Sequence, residues 1–134
     1  MAANRLKAIE RMLAIQSRIR ALAEWRKLAL ERQASQAREE TRTLISALAG
    51  GGGPVDGLFA EFTAKRLHRV SLSLWELDHA AREQSVRLAG EVAREKRTAR
   101  LADRVRRIKL RADEDGALRE VLDAVEARRA ASLE

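Results

Sequence analysis

The chain has no cysteine and no tyrosine, one proline, and only four aromatic residues, two Trp and two Phe, among 134. Each scarcity excludes something. Without cysteine there is no disulfide framework and no thiol chemistry, which suits a reducing cytosol. Two histidines, His68 and His79, stand eleven residues apart, about 16 Å along a helix, too far to chelate one metal. No apolar run reaches membrane-spanning length. The first thirty residues are basic and amphipathic like a transit peptide, but Glu10 and Glu24 interrupt them and no cleavage-like site follows. The single proline, Pro54, follows Gly50, Gly51, Gly52 and Gly53. Glycine and proline are the residues a helix interior tolerates least, so helix-breaking chemistry is concentrated in one short stretch.

What remains is rich in Ala, Leu, Glu and Arg, with 35% charged residues, the composition of long helices. The sequence therefore predicts an all-α fold. It is a single domain over 1–134: a long antiparallel two-helix coiled-coil hairpin with a short C-terminal helix. Arm one runs over about 4–49, the turn over 50–57, arm two over about 58–112 and the C-terminal helix over about 117–131. Asn4 is the expected N-cap of arm one and Asp56 that of arm two. The run Asp113-Glu114-Asp115-Gly116 is expected to break arm two, after which Leu118, Val121, Leu122 and Val125 share one face.

The apolar spacing of arm one gives a seam of Ala8, Met12, Ile15, Ile19, Leu22, Arg26, Leu30, Ala34, Ala37, Thr41, Leu44 and Leu48. Its steps alternate four and three except at Leu22, Arg26 and Leu30, a stutter that unwinds a supercoil locally. Arm two repeats cleanly at Thr63, Leu67, Val70, Leu74, Leu77, Ala81, Gln84 and Leu88. It drifts near Val92 and resumes at Leu101, Val105, Ile108 and Ala112. Folding about the glycines pairs residues whose numbers sum to about 107. Ala34 then meets Leu74, Ala37 meets Val70, Arg26 meets Ala81 and Ile19 meets Leu88. Small residues mostly face large ones, as a packed seam needs. Two helices bury only a narrow seam, so a partner or a homodimer would add stability. Phe59 and Phe62, near the turn, are expected to seal the hairpin end.

Little in the chain looks like catalysis. The glycine run lacks a Gly-Lys-Ser/Thr ending and follows a helix, so it is no phosphate loop. The acidic run around Gly116 misplaces the glycine of a calcium loop. Carboxylates lie on solvated faces without an apolar pocket. No enzyme activity and no cofactor are expected.

Two surface features stand out. Residues 94–111 hold nine basic residues against Glu95 and Asp103, which accounts for the whole net charge of +7. Arg94, Arg97, Arg100, Arg104 and Arg107 belong to this belt, which the register sets beside the N-terminal dozen residues. Phosphate binding needs only such charge, but no aromatic interleaves the belt for stacking on single strands, and basic-region dimers grip DNA outside their zipper. Nucleic acid is therefore the third reading, behind a protein partner and a generic coiled-coil scaffold. The second feature is a stripe of His68, Leu72, Trp75 and His79, at steps of four, three and four on the back of arm two. A tryptophan beside a leucine outside the seam is an expected protein-docking anchor.

With that stripe the chain resembles the FliJ family of flagellar export proteins and its injectisome counterparts in type III secretion. That family consists of small, often arginine-rich antiparallel hairpins similar to the stalk of rotary ATPases. The resemblance implies a cytoplasmic, non-enzymatic stalk, coupling factor or export chaperone, peripheral to a membrane-embedded export apparatus. Its implied partners are the hexameric export ATPase and the cytosolic domain of the export gate. The family's gate-contacting face carries an aromatic, an aliphatic, a small residue and a histidine at four-three-four spacing. Leu72 and His79 match in spacing and type, whereas His68 and Trp75 match in spacing only. Arg94-Glu95-Lys96-Arg97, followed by Leu101, is similar to an Arg-Glu-Lys-Lys stretch that the family can carry there. The resemblance implies that the belt arginines meet the ATPase ring.

Overall fold

A computed structural model describes residues 2–50 and 56–133. The described residues form two long α-helices, α1 (Ala2–Ala49) and α2 (Asp56–Ser132), and no strand occurs among them. Gly50 closes α1 as a turn residue, its N–H donating to the Ser46 carbonyl at 3.1 Å. The rest of the glycine run, Pro54 and the capping side chain of Asp56 lie outside the described residues. Gly57 is already helical. Asn4 is inside α1 rather than at its cap, because Ala2 and Ala3 are strong helix formers that carry the first turn past it.

The helices contribute to two compact units, one of Arg18–Val92 and one of Met1–Ser17 with Ala93–Glu134. In the first, α1 and α2 run antiparallel. Glu40 accepts from Arg66, whose Nε lies 2.8 Å from its Oε1, Arg38 donates to Asp78 at 2.6 Å, and the Gln84 amide donates to the Ala23 carbonyl at 3.3 Å. Ala23 and Gln84 have numbers that sum to 107, the expected register. The α2 seam from Thr63 to Leu88 lies inside as expected, as do Leu30, Ala34, Ala37, Thr41, Leu44 and Leu48 of α1. Gln84 is 8% exposed. A buried amide bonded to the other helix fixes register, because a slip would leave its polar atoms unpaired. The ion pairs flanking the seam are solvated and contribute about 0–1 kcal/mol each.

Upstream of Leu30 the structure overturns the expected α1 seam. Ala8, Met12, Ile15, Ile19, Leu22 and Arg26 are all exposed. The inward positions are Leu6, Ile9, Leu13, Gln16, Arg20, Ala23 and Lys27. With Leu30 onward they form an unbroken three-four repeat, so the stutter does not exist. A phase change would cost supercoil geometry, whereas long polar side chains can lie along a seam and send their ends to water. Arg20 does so beside Glu24, at 2.8 Å, and Lys27 beside Glu31, at 3.8 Å. With the seam positions labelled a and d, Met12 and Ile19 fall at g, and Ile15 and Leu22 at c.

In the second unit Ile9, Ala102 and Val105 form a buried cluster, with Leu6 and Leu101 packed against it. Arg106 ties the two helices there, reaching Glu10 at 3.3 Å and Asp103 at 3.0 Å. Thr98 is buried as well. The α2 repeat does not lapse near Val92 but passes through Glu91, Glu95, Thr98, Ala102, Val105 and Lys109, none of them exposed. Ile108 and Ala112, expected in the seam, are exposed.

The expected break at Asp113–Gly116 is also absent, and with it the separate C-terminal helix, since α2 is continuous to Ser132. Gly116 costs a helix only about 1 kcal/mol relative to alanine, and each aspartate less. None of them removes a backbone donor as proline would. A Cβ added at Gly116 would meet nothing within 4 Å, and no described glycine has a positive φ. Gly116→Ala is therefore expected to slow amide exchange over residues 112–120 about fivefold and to raise helicity. A helix that ended at Gly116 would respond in the opposite direction, because alanine disfavours the left-handed end.

Candidate docking surfaces

In the Arg18–Val92 unit, α2 carries the stripe His68, Leu72, Trp75 and His79 on its outer face. All four are exposed, Trp75 at 68%. The a/d repeat that buries Leu67, Val70, Leu74 and Leu77 leaves His68 and Trp75 at b, and Leu72 and His79 at f. The Trp75 and His79 rings stack, with centroids 5.6 Å apart and planes 2° from parallel. His79 Nε2 in turn lies 3.2 Å from Glu83 Oε1. The indole is thus held flat by the imidazole, which lowers the entropy a partner must remove to use it.

The stripe is longer than the sequence pattern suggested. Phe62 and His68 line one shallow hollow with Glu61, Ala64, Lys65 and Arg69. Phe59 and Phe62 do not seal the chain reversal, as expected from sequence, but are both exposed. Phe62 sits at position c of the repeat, one turn after Leu58 at f, and both are exposed. Val86, also exposed, is another f residue. The fourteen-residue spacing of Leu58, Leu72 and Val86 is the signal that would have found this face. Ile19, Leu22 and Trp25 form an exposed apolar face on α1 of the same unit. Apolar spacing alone hides this face, because it places Ile19 and Leu22 in the seam.

The basic belt lies in the other unit. Arg97 and Arg104 occupy c, Arg100 and Arg107 occupy f, and Arg94 occupies the flanking g position; all five are exposed. Arg100, Arg104 and Arg107 line one hollow together with Asp103. Arg106 is drawn to Glu10 and Asp103 instead. The belt therefore offers guanidinium groups on its outer face about one turn apart, a spacing suited to bidentate carboxylate recognition. Among the described residues no group of three or more His, Asp or Glu could hold a metal ion. No described helix is long and apolar enough to cross a membrane.

These features define a class: paired long helices with a polar-punctuated heptad seam, an aromatic stripe and a basic belt on outer faces. No protein-family model matches the chain, and no curated protein or solved structure is significantly similar to it.

Proposed function

We propose that this protein is a non-enzymatic stalk, coupling factor or export chaperone of a type III protein-export apparatus, cytoplasmic and peripheral to the membrane-embedded machinery. In this reading it links the hexameric export ATPase to the cytosolic domain of the export gate. The observation that carries the reading is the exposed His68–Leu72–Trp75–His79 stripe, spaced as in the gate-contacting face of FliJ-like proteins and aimed away from the seam. The outward belt supports it. Arg94, Arg97, Arg100, Arg104 and Arg107 meet acidic residues of the ring, a contact that charge steers and that reverses readily.

The belt's role is tested by pull-down with the cognate export ATPase. Arg100, Arg104 and Arg107 changed together to Glu are expected to abolish capture while leaving helicity unchanged, since all three are exposed. Wild-type capture should also fall as salt rises. Undiminished capture by the triple variant overturns the belt's role. A generic coiled-coil scaffold is the second reading, favoured by the exposed apolar residues on both helices. It predicts no stimulation of ATP hydrolysis, whereas a stalk stimulates it.

A further inference from the structure

Beyond Lys109, α2 is exposed at every described position except Gly116, yet it is not uniformly polar. Leu118, Val121, Leu122 and Val125 lie on one face, each about half exposed. At 100° per residue these four side chains fall within one stripe roughly 100° wide, the width of a face made for burial. Glu114 lies four residues before Leu118 and Arg129 four residues after Val125, both on the same face. The six positions 114, 118, 121, 122, 125 and 129 are a palindrome about the midpoint of Val121 and Leu122. In apolar content the palindrome is symmetric. In charge it is antisymmetric, acidic at one end and basic at the other, with Asp115 beside Glu114 and Arg128 beside Arg129 adding to each.

Such a pattern has one self-complementary solution. A second copy laid antiparallel over this face brings Leu118 to Val125, Val121 to Leu122, and Arg129 to Glu114 and Asp115, twice over by symmetry. A parallel copy would set Glu114 against Glu114 and Arg129 against Arg129, which repel. A partner of a single charge sign would meet attraction at one end and repulsion at the other. We infer that the C-terminal part of α2 is a homodimerisation segment, occupied by the same segment of a second copy in antiparallel orientation. The inference is independent of the export reading: it needs neither the aromatic stripe nor the basic belt.

The test is sedimentation equilibrium of the full chain from micromolar to submillimolar concentration. The wild type is expected to dimerise. Leu122→Glu should weaken the dimer at least about tenfold without changing helix content, because Leu122 is exposed in the single chain. Arg129→Glu alone should weaken it, as should Glu114→Arg with Asp115→Arg. The combined triple variant, in which both ends are exchanged, should regain it. A wild type that stays monomeric overturns the inference, as does a dimer indifferent to Leu122→Glu. Failure of the triple variant to recover overturns the antiparallel arrangement.

Discussion

Ala102→Asp is expected to destabilise the chain by about 3 kcal/mol or more, read as a lower urea midpoint in the helical signal. Ala102 is 0% exposed and contributes to the cluster of Ile9 and Val105, flanked by Leu6 and Leu101. Every one of those neighbours is apolar, so a carboxylate there finds no hydrogen-bond donor among them and is costly to desolvate. Aspartate is also too short to reach past the seam to water, as Arg20 and Lys27 do at their own a positions. The same substitution at Ile15 or Ile108 provides the contrast. Both were expected in the seam from apolar spacing, and both are more than half exposed. Ile15→Asp and Ile108→Asp should each cost less than about 1 kcal/mol. A reversed order, with larger losses at Ile15 and Ile108 than at Ala102, would mean that the helices pack in the other phase.

That contrast shows what the sequence disclosed about the fold and what it hid. From Leu30 to Leu48 and from Thr63 to Leu88, apolar and small residues concentrate at a and d, so periodicity finds the seam. From Leu6 to Lys27 the rule fails in part. Gln16, Arg20 and Lys27 occupy inward positions while Met12, Ile15, Ile19 and Leu22 occupy outward ones. A search for the most apolar stripe selects the wrong face, because it ranks residues singly and ignores the phase that a continuous helix inherits from its better-packed half. The buried Oε1 of Gln16, which has no hydrogen-bond partner among the described residues, shows the compromise that this inheritance imposes. The acidic run before Gly116 misled for a related reason. Local residues that weaken a helix by about 1 kcal/mol do not end it unless another conformation satisfies their backbone better.

The candidate surfaces are more legible in the sequence than the N-terminal seam. Where the α2 repeat is unambiguous, everything off the seam is identified by subtraction, so His68, Leu72, Trp75 and His79 stood out as an outer stripe. Phe62 escaped because its closeness in sequence to the glycine run outweighed its heptad position. The charge of the belt arginines was plain from composition. Their division between Arg106, held by Glu10, and Arg100, Arg104 and Arg107, turned to one outer hollow, required the side chains.

If the stripe docks the export gate as proposed, Trp75→Ala is expected to weaken capture of the gate's cytosolic domain at least about thirtyfold, the loss of an aromatic anchor worth about 2 kcal/mol. Thermal stability should barely change. The indole is 68% exposed and lies at a b position outside the seam. Among the described residues its ring partner is His79, itself exposed and on the same helix. Removing the indole therefore opens no cavity between α1 and α2, and the usual cost of truncating a core aromatic does not arise. The stack adds a second expectation. His79→Ala leaves the indole in place but frees it to sample other rotamers, so its effect on capture should be smaller and in the same direction. Leu74→Ala, at an inward a position of the neighbouring turn, should do the reverse: it should lower the melting temperature while leaving gate capture intact below that temperature. If Trp75→Ala instead melts early, the tryptophan belongs to packing. If it melts normally and still captures the gate domain, the stripe is not the docking face.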